Sequence, residues 1–160
     1  MNEEVTSFNE TTCGLDAFKR GGGQKIVGYS FYGDMNSIKS IEKGYFEGII
    51  ENLKLMSIHY PGWIMRLYFD LDKSDPVFDE ICKLACNNNN LDLCDAANLP
   101  GTPMRDARKV FPMNWRFFPT LDPQVSWFET KIMLWNKSTI FVSKVILHYV
   151  KIIRSSAAKL

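Results

Sequence analysis

WIMRLYFD, residues 63–70, is the stretch on which the fold turns. It is a nearly continuous apolar run, without the polar–apolar alternation of a strand that has one face in water. A strand covered on both faces needs such a run, and covered strands belong to parallel sheets flanked by helices. Residues 63–69 are therefore expected inside a sheet and not on an edge.

The neighbouring segments agree. KIVGYSFYG (25–33) is rich in β-formers and bounded by Gly33-Asp34, and it reads as a strand. In EKGYFEGIIENLKLMSIHYPG (42–62), Tyr45, Phe46, Ile49, Ile50, Leu53, Leu55 and Met56 fall largely at helical spacing. Pro61-Gly62 stops that helix, and His59 near its last turn suits the negative end of the dipole. After the second strand, Asp75-Pro76 is a cap followed by proline at the first helical position. Val77, Phe78, Ile81, Cys82 and Leu84 give this helix its buried side, and Asn87 to Asn90 end it. LDLCD (91–95) is a short third strand, followed by the loop NLPGTPMRDARK (98–109).

Strand, helix, strand, helix, strand predicts an α/β fold. The expected architecture is a three-layer sandwich over residues 25–128, with a mainly parallel, Rossmann-like and incomplete sheet. Right-handed crossovers are expected to place helices on both of its faces. Residues 1–24 are polar and read as a flexible tail, closed by the linker Gly21-Gly22-Gly23. Residues 129–160 read as a divergent C-terminal tail, an amphipathic helix or an added strand.

Composition narrows the function classes. A chain of 160 residues with 46% hydrophobic content suffices for one domain with a core. Nineteen basic and eighteen acidic residues leave a net charge of +1, so nothing invites nucleic acid electrostatically. The four cysteines, at 13, 82, 86 and 94, are too few and scattered for a disulfide scaffold. Cys82 and Cys86 at i, i+4 make half a zinc site, and core packing is the favoured reading. No signal peptide is evident, and Lys144 and Lys151 interrupt the apolar C-terminal run before it could span a bilayer. The reading favours a soluble chain and leaves the compartment open, the cytoplasm included.

Ligands of such sheets gather beyond the carboxyl ends of the strands. Here those ends carry Ser30, Tyr32 and Gly33, then Asp70 and Asp72, then Asp95. Asp70-Leu71-Asp72 could set two carboxylates on one side of an extended chain, leaning onto one divalent cation. The competing reading, which is favoured, assigns Asp72 with Ser74 and Asp75 to the entry of the next helix. Arg105, Arg108 and Arg116 are the candidates for phosphate, since a guanidinium forks onto two oxygens. For each of them a surface or strand-end salt bridge is the commoner role.

FPMNWRFFPTLDPQVSWF (111–128) is the most distinctive segment. Pro112 opens a short helix, Trp115, Phe117 and Phe118 supply an apolar anchor around Arg116, and VSWF is a candidate fourth strand. KIVGYSFYG, YFEGIIENLKLMSIHYPGWIMRLYFD, PGTPMRDARKVFPMNWRFFPTLDPQV and their order resemble a little-characterised family of glycosyltransferase-like proteins. That family resembles the nucleotide-sugar-binding half of GT-A glycosyltransferases. The resemblance covers about residues 25–128, and the tryptophan-arginine helix before the DPxV turn is its most specific part. It implies a nucleotide diphosphate sugar as ligand, held by Ser30, Tyr32, Gly33, Asp70, Arg105 and Arg116. It also implies a Mn or Mg ion on a DxD motif in complete members of the family. In this chain Ile132 and Leu134 stand where those aspartates are expected, and neither offers an oxygen ligand. The resemblance stops at Glu129, which suggests a truncated or alternatively ended product with no cofactor and little or no transferase activity. The alternative is a non-catalytic interaction module that binds a protein partner through its apolar C-terminal tail.

Overall fold

The computed structural model describes residues 11–32, 39–100, 106–131 and 142–143. Helix α1 (Gly14–Lys19) precedes strand β1 (Gln24–Tyr32), followed by α2 (Lys39–His59), β2 (Ile64–Asp70), α3 (Pro76–Cys86) and β3 (Leu91–Asp95). Two 3-10 segments, Ala107–Lys109 and Pro112–Leu121, lead to β4 (Val125–Lys131), and β5 (Val142–Ser143) comes last. The strands form one sheet in the order β3-β2-β1-β4-β5. β1 through β4 pair in parallel, and the short β5 lies antiparallel on β4. This is the expected α/β class. Residues 64–70 are an interior strand, with β3 on one side and β1 on the other, and Met65 through Phe69 are buried without a break.

One face of the sheet is apolar in the ordinary way. Val27, Tyr29 and Phe31 of β1 and Met65, Leu67 and Phe69 of β2 meet Phe46, Ile49, Leu53 and Met56 of α2 and Val77 and Ile81 of α3. Ile49, Met65, Leu67 and Ile81 lose all their exposure, worth about 1.5–3 kcal/mol each. The α3 entry follows its sequence signal. Asp75 Oδ1 accepts the Val77 N–H at 2.9 Å, and Pro76 occupies the first turn.

The two crossover α-helices, α2 and α3, lie on this face, and the β3-to-β4 crossover runs over the other through the two 3-10 segments, so both faces are covered as expected. From β1 to β2 to β3 the chain steps across the sheet in one direction, and a right-handed connection in a constant direction always returns over the same side. The step from β3 back to β4 runs in the opposite direction, so the same hand of connection places it on the second face. Tyr68, Cys94, Ala96, Leu99, Ala107 and Trp115 form a smaller cluster there, with Cys13, Val110 and Phe118 packed against it.

The segment at 112–121 is a 3-10 run rather than an α-helix, and Pro119 within it cannot donate to an α-helical ladder. Trp115 pins it, its buried indole N–H donating to the Ala107 carbonyl at 2.9 Å. The backbone then passes so close to β1 that only glycine fits beneath. A Cβ on Gly28 would lie 2.1 Å from the Arg116 carbonyl oxygen and 3.1 Å from the Phe128 ring.

Residues 11–23, expected within a flexible tail, are packed on the second face. Thr11 and Thr12 are fully buried and Cys13 is disulfide-bonded to Cys94 of β3. The glycine linker is an ordered turn. Gly21 and Gly23 take φ of 79° and 82°, the left-handed region in which a Cβ is penalised, and the Gly21 N–H closes on Phe18 O at 3.0 Å. The single disulfide also amends the cysteine reading, which saw no framework in four scattered residues. Its partners stand 81 positions apart, so only folding brings them together.

The second face holds a buried charge network that the sequence reading passed over. The Arg66 guanidinium, without solvent exposure, pairs with the Asp122 carboxylate and donates to Gln24 Oε1 at 2.7 Å. Asp92 Oδ2 stands 3.6 Å from Arg66 Nε, and Arg20 closes on the other Asp92 oxygen at 2.8 Å. Thr12 donates its backbone N–H to Asp122 Oδ1 at 2.8 Å and its hydroxyl to Oδ2 at 3.1 Å. Burial raises the Asp122 carboxyl, against the opposing pull of Arg66 and the Thr12 donors. Burial and then Asp122 also raise Tyr68, whose hydroxyl lies 2.5 Å from Thr12 Oγ1, so its phenol stays neutral.

Two predictions follow from this packing. Gly28→Ala should lower the urea midpoint by about 1–3 kcal/mol of stability, the usual cost of overpacking. An unchanged midpoint would mean that the Arg116 carbonyl moves aside freely. Asp122→Ala should cost about 3–5 kcal/mol by leaving Arg66 buried and uncompensated, whereas Arg66→Met with Asp122→Leu should recover much of that loss. A urea double-mutant cycle of Arg66→Met, Asp122→Leu and the two together reads the coupling, and strictly additive losses would show that the two charges do not depend on each other.

Candidate functional site

The strand order changes direction between β1 and β4: β2 and β3 build outward on one side of β1, and β4 returns to the other. In open α/β sheets the crevice beyond the carboxyl ends of two such strands is where ligands bind. The sequence-expected residues converge on that rim in part. Ser30 and Tyr32 end β1, in register with Tyr68 and Asp70 of β2. Ser30 and Asp70 are half-buried, while Tyr32 is 41% exposed at the edge. Gly33 and Arg105 lie outside the described residues.

Arg116 reaches the rim from the 3-10 segment. Its neighbour Trp115 sets its ring edge-on to Tyr32, with centroids 5.9 Å apart. The Arg116 guanidinium carbon lies 5.2 Å from the Phe117 ring centroid, a cation–π contact. Its Nε is buried and meets no hydrogen-bond acceptor among the described residues. Burial lowers the Arg116 pKa, with nearby Tyr32 opposing. A guanidinium partly stripped of water and short of an acceptor is a group arranged to receive an anion.

The neighbouring rim, beyond β2 and β3, has a different character. Asp106 caps the Ala107–Lys109 turn by accepting the Arg108 N–H at 3.0 Å. The Arg108 side chain folds back onto the same carboxylate, Nε at 2.9 Å and Nη2 at 2.7 Å. Of the three candidate arginines, Arg108 is thus in a surface salt bridge, its pKa raised by Asp106 first and also by Asp70 and Asp95. Asp95 Oδ1 accepts the Ala97 N–H at 2.8 Å.

Asp70-Leu71-Asp72 does not form a metal pair. β2 ends at Asp70, so the same-side geometry of an extended chain stops there. Asp72 is exposed and committed to Ser74, accepting its N–H and its hydroxyl at 2.8 Å each, and these bonds lower its pKa. That is the helix-entry role. Among the described residues no three His, Cys, Asp or Glu side chains stand together as a metal-binding group. A single carboxylate at Asp70 does not fit a hard divalent cation, which takes several oxygen ligands, and residues 132 and 134 lie outside the described residues. Cys82 and Cys86 are free thiols on α3, and burial, Asp79 and Cys86 raise the Cys82 pKa.

At the opposite, amino end of the sheet lies an open cleft of about 820 Å³, lined by Arg20, Lys25, Tyr60, Trp63, Asn89 and Asn90 among others. Arg20 there is already occupied by Asp92 and the Asn89 carbonyl. The rim retains the better case, because Arg116 keeps donor capacity unused.

The fold and rim define the class: a Rossmann-like, parallel α/β sheet with its switch point between β1 and β4. No family model, curated protein or solved structure matches the chain. No helix among the described residues is long and apolar enough to cross a membrane.

Acid titration offers a direct check of the rim. Arg108 holds the Asp106 carboxyl down from 3.8 to about 2. A depressed folded pKa means that its stabilising contribution is present above about pH 4 and is lost as pH falls toward 2. Carboxyl NMR shifts should show Asp106 titrating near 2 in the parent chain and in the ordinary aspartate range in Arg108→Ala. Equal titration in both would remove the clamp.

Proposed function

We propose that the chain is a glycosyltransferase-like protein that binds a nucleoside diphosphate, or its sugar conjugate, at the β1–β4 switch point without a metal ion. The observation that carries this reading is Arg116: half-buried, short of an acceptor at Nε, and set beside Tyr32 at the rim. In this reading Arg116 meets the diphosphate, Tyr32 offers its exposed ring to the base, and Ser30 supplies a hydroxyl at the floor. Gly33 and Arg105 complete the proposed contact set, as the resemblance implies. Asp70 faces the ribose side, where a carboxylate can accept from hydroxyl groups.

Transfer chemistry is a separate matter. A departing nucleoside diphosphate develops negative charge that a hard cation ordinarily neutralises. Asp70, Asp95 and Asp106 add negative charge near this rim, against which Arg108 and Lys109 stand among the described residues. These 160 residues are therefore proposed to hold a donor and to turn it over weakly or not at all.

A second reading, a non-catalytic protein-binding module, draws support from Trp127. It shares a sheet face with Val27 by register, yet it stays 54% exposed outside the cluster that α2 and α3 cover.

Calorimetric titration with UDP, GDP and their sugar conjugates, with and without manganese, tests the proposal. Binding should occur without metal, and Arg116→Ala should weaken it at least about tenfold, or 1.4 kcal/mol. Manganese should add less than that. A manganese-dependent gain of tenfold or more that vanished in Asp70→Asn would overturn the metal-free site. Absence of binding by every nucleotide would favour the protein-binding reading.

A further inference from the structure

The segment 11–23 crosses the second face with few apolar contacts of its own. Ala17 is the only residue of α1 that is fully buried, and Leu15 stays 61% exposed. A helix of six residues has no stability in isolation. Its remaining holds are polar: Thr12 to Asp122 and Tyr68, Arg20 to Asp92, and the Gln24 amide to Ala17 O at 2.9 Å. Bonds of this kind contribute modestly each, because water offers the same groups partners when they separate. The Cys13–Cys94 bond is the one covalent tie. The main apolar cluster between the sheet, α2 and α3 contains no residue of this segment.

The two cysteines differ in exposure. Cys94 is 1% exposed, whereas Cys13 is half-buried at the surface end of the bond. An attacking thiolate can therefore reach Cys13 first, with Cys94 as the leaving thiolate.

We infer that residues 11–23 are a redox-released strap, locked over the second face by the Cys13–Cys94 disulfide and opened by a dithiol reductant. The exchange is balanced. One thiolate of the dithiol attacks the Cys13 sulfur, forming a mixed disulfide and expelling the Cys94 thiolate, which takes up a proton. The second thiol of the reductant, as its thiolate, then attacks its own half of the mixed disulfide and releases Cys13, which is also protonated. Two electrons and two protons pass from the dithiol to the protein, and the reductant leaves as a disulfide. Opening removes both Thr12 donors from Asp122 and admits water to Asp122, Tyr68 and Arg66. Oxidising surroundings hold the strap shut. The inference does not rest on nucleotide binding.

Hydrogen exchange read by mass spectrometry tests it on the full chain, oxidised and then treated with dithiothreitol. Amides of residues 12–21, protected in the oxidised protein, should exchange at least about tenfold faster after reduction, equivalent to 1.4 kcal/mol. Peptides covering β1 and β2 should keep their protection. Cys13→Ser with Cys94→Ala should reproduce the reduced pattern and make it insensitive to dithiothreitol. Three results would overturn the inference: protection of 12–21 unchanged by reduction, loss of protection across the whole sheet at once, or free thiols at Cys13 and Cys94 in a non-reduced peptide map.

Discussion

The buried guanidinium of Arg66 is the constraint around which the second half of the structure is arranged. It stands in the middle of an interior strand, flanked in register by Gly28 and Asp92, with no access to water. A charge in that position is tolerable only when neighbours replace its hydration. Asp122 does so from the end of the 3-10 segment, Gln24 from the start of β1, and Asp92 from β3. Asp122 in turn takes two donors from Thr12, which brings in the N-terminal segment. One side chain thus fixes where four separate pieces of chain must meet.

The two faces of the sheet consequently rest on different physics. The α2–α3 face is held by area removed from water, which is non-directional and tolerant of small shifts. The other face relies on directed contacts: the ion pair, the Trp115 indole bond, a disulfide, and a backbone carbonyl seated against Gly28. Directed contacts specify position more sharply and fail more abruptly. The same 3-10 segment that Gly28 admits carries Arg116 to the rim, so the candidate site inherits its geometry from this second face.

The rim itself combines unlike neighbourhoods. Near the switch point a partly desolvated arginine and exposed aromatic edges suit an anion with a flat ring. Toward β3 the carboxylates of Asp70, Asp95 and Asp106 surround Arg108, which is folded onto one of them. Negative charge thus collects toward β3 and the DLD stretch, while the guanidinium with an unpaired Nε stands at the switch point.

The sequence by itself determined the layer of alternating strands and helices, because period, proline and caps act locally. The unbroken apolar run at 63–69 required burial on both sides, and Asp75-Pro76 required a helix start, whatever the rest of the chain did. Asp72 as a helix-entry residue was legible for the same reason, since its partner Ser74 is two positions away. Tertiary structure alone decided the rest. Arg66 lies inside an apolar run and gives no local signal, while its partner Asp122 stands 56 residues on, in what reads as a turn. Cys13 and Cys94, Thr12 and Asp122, and Gly28 beneath Arg116 are likewise contacts between distant positions, created when strand order and crossover hand bring them together. Local free energies write the elements into the sequence, but pairings across the sheet exist only once the chain has closed.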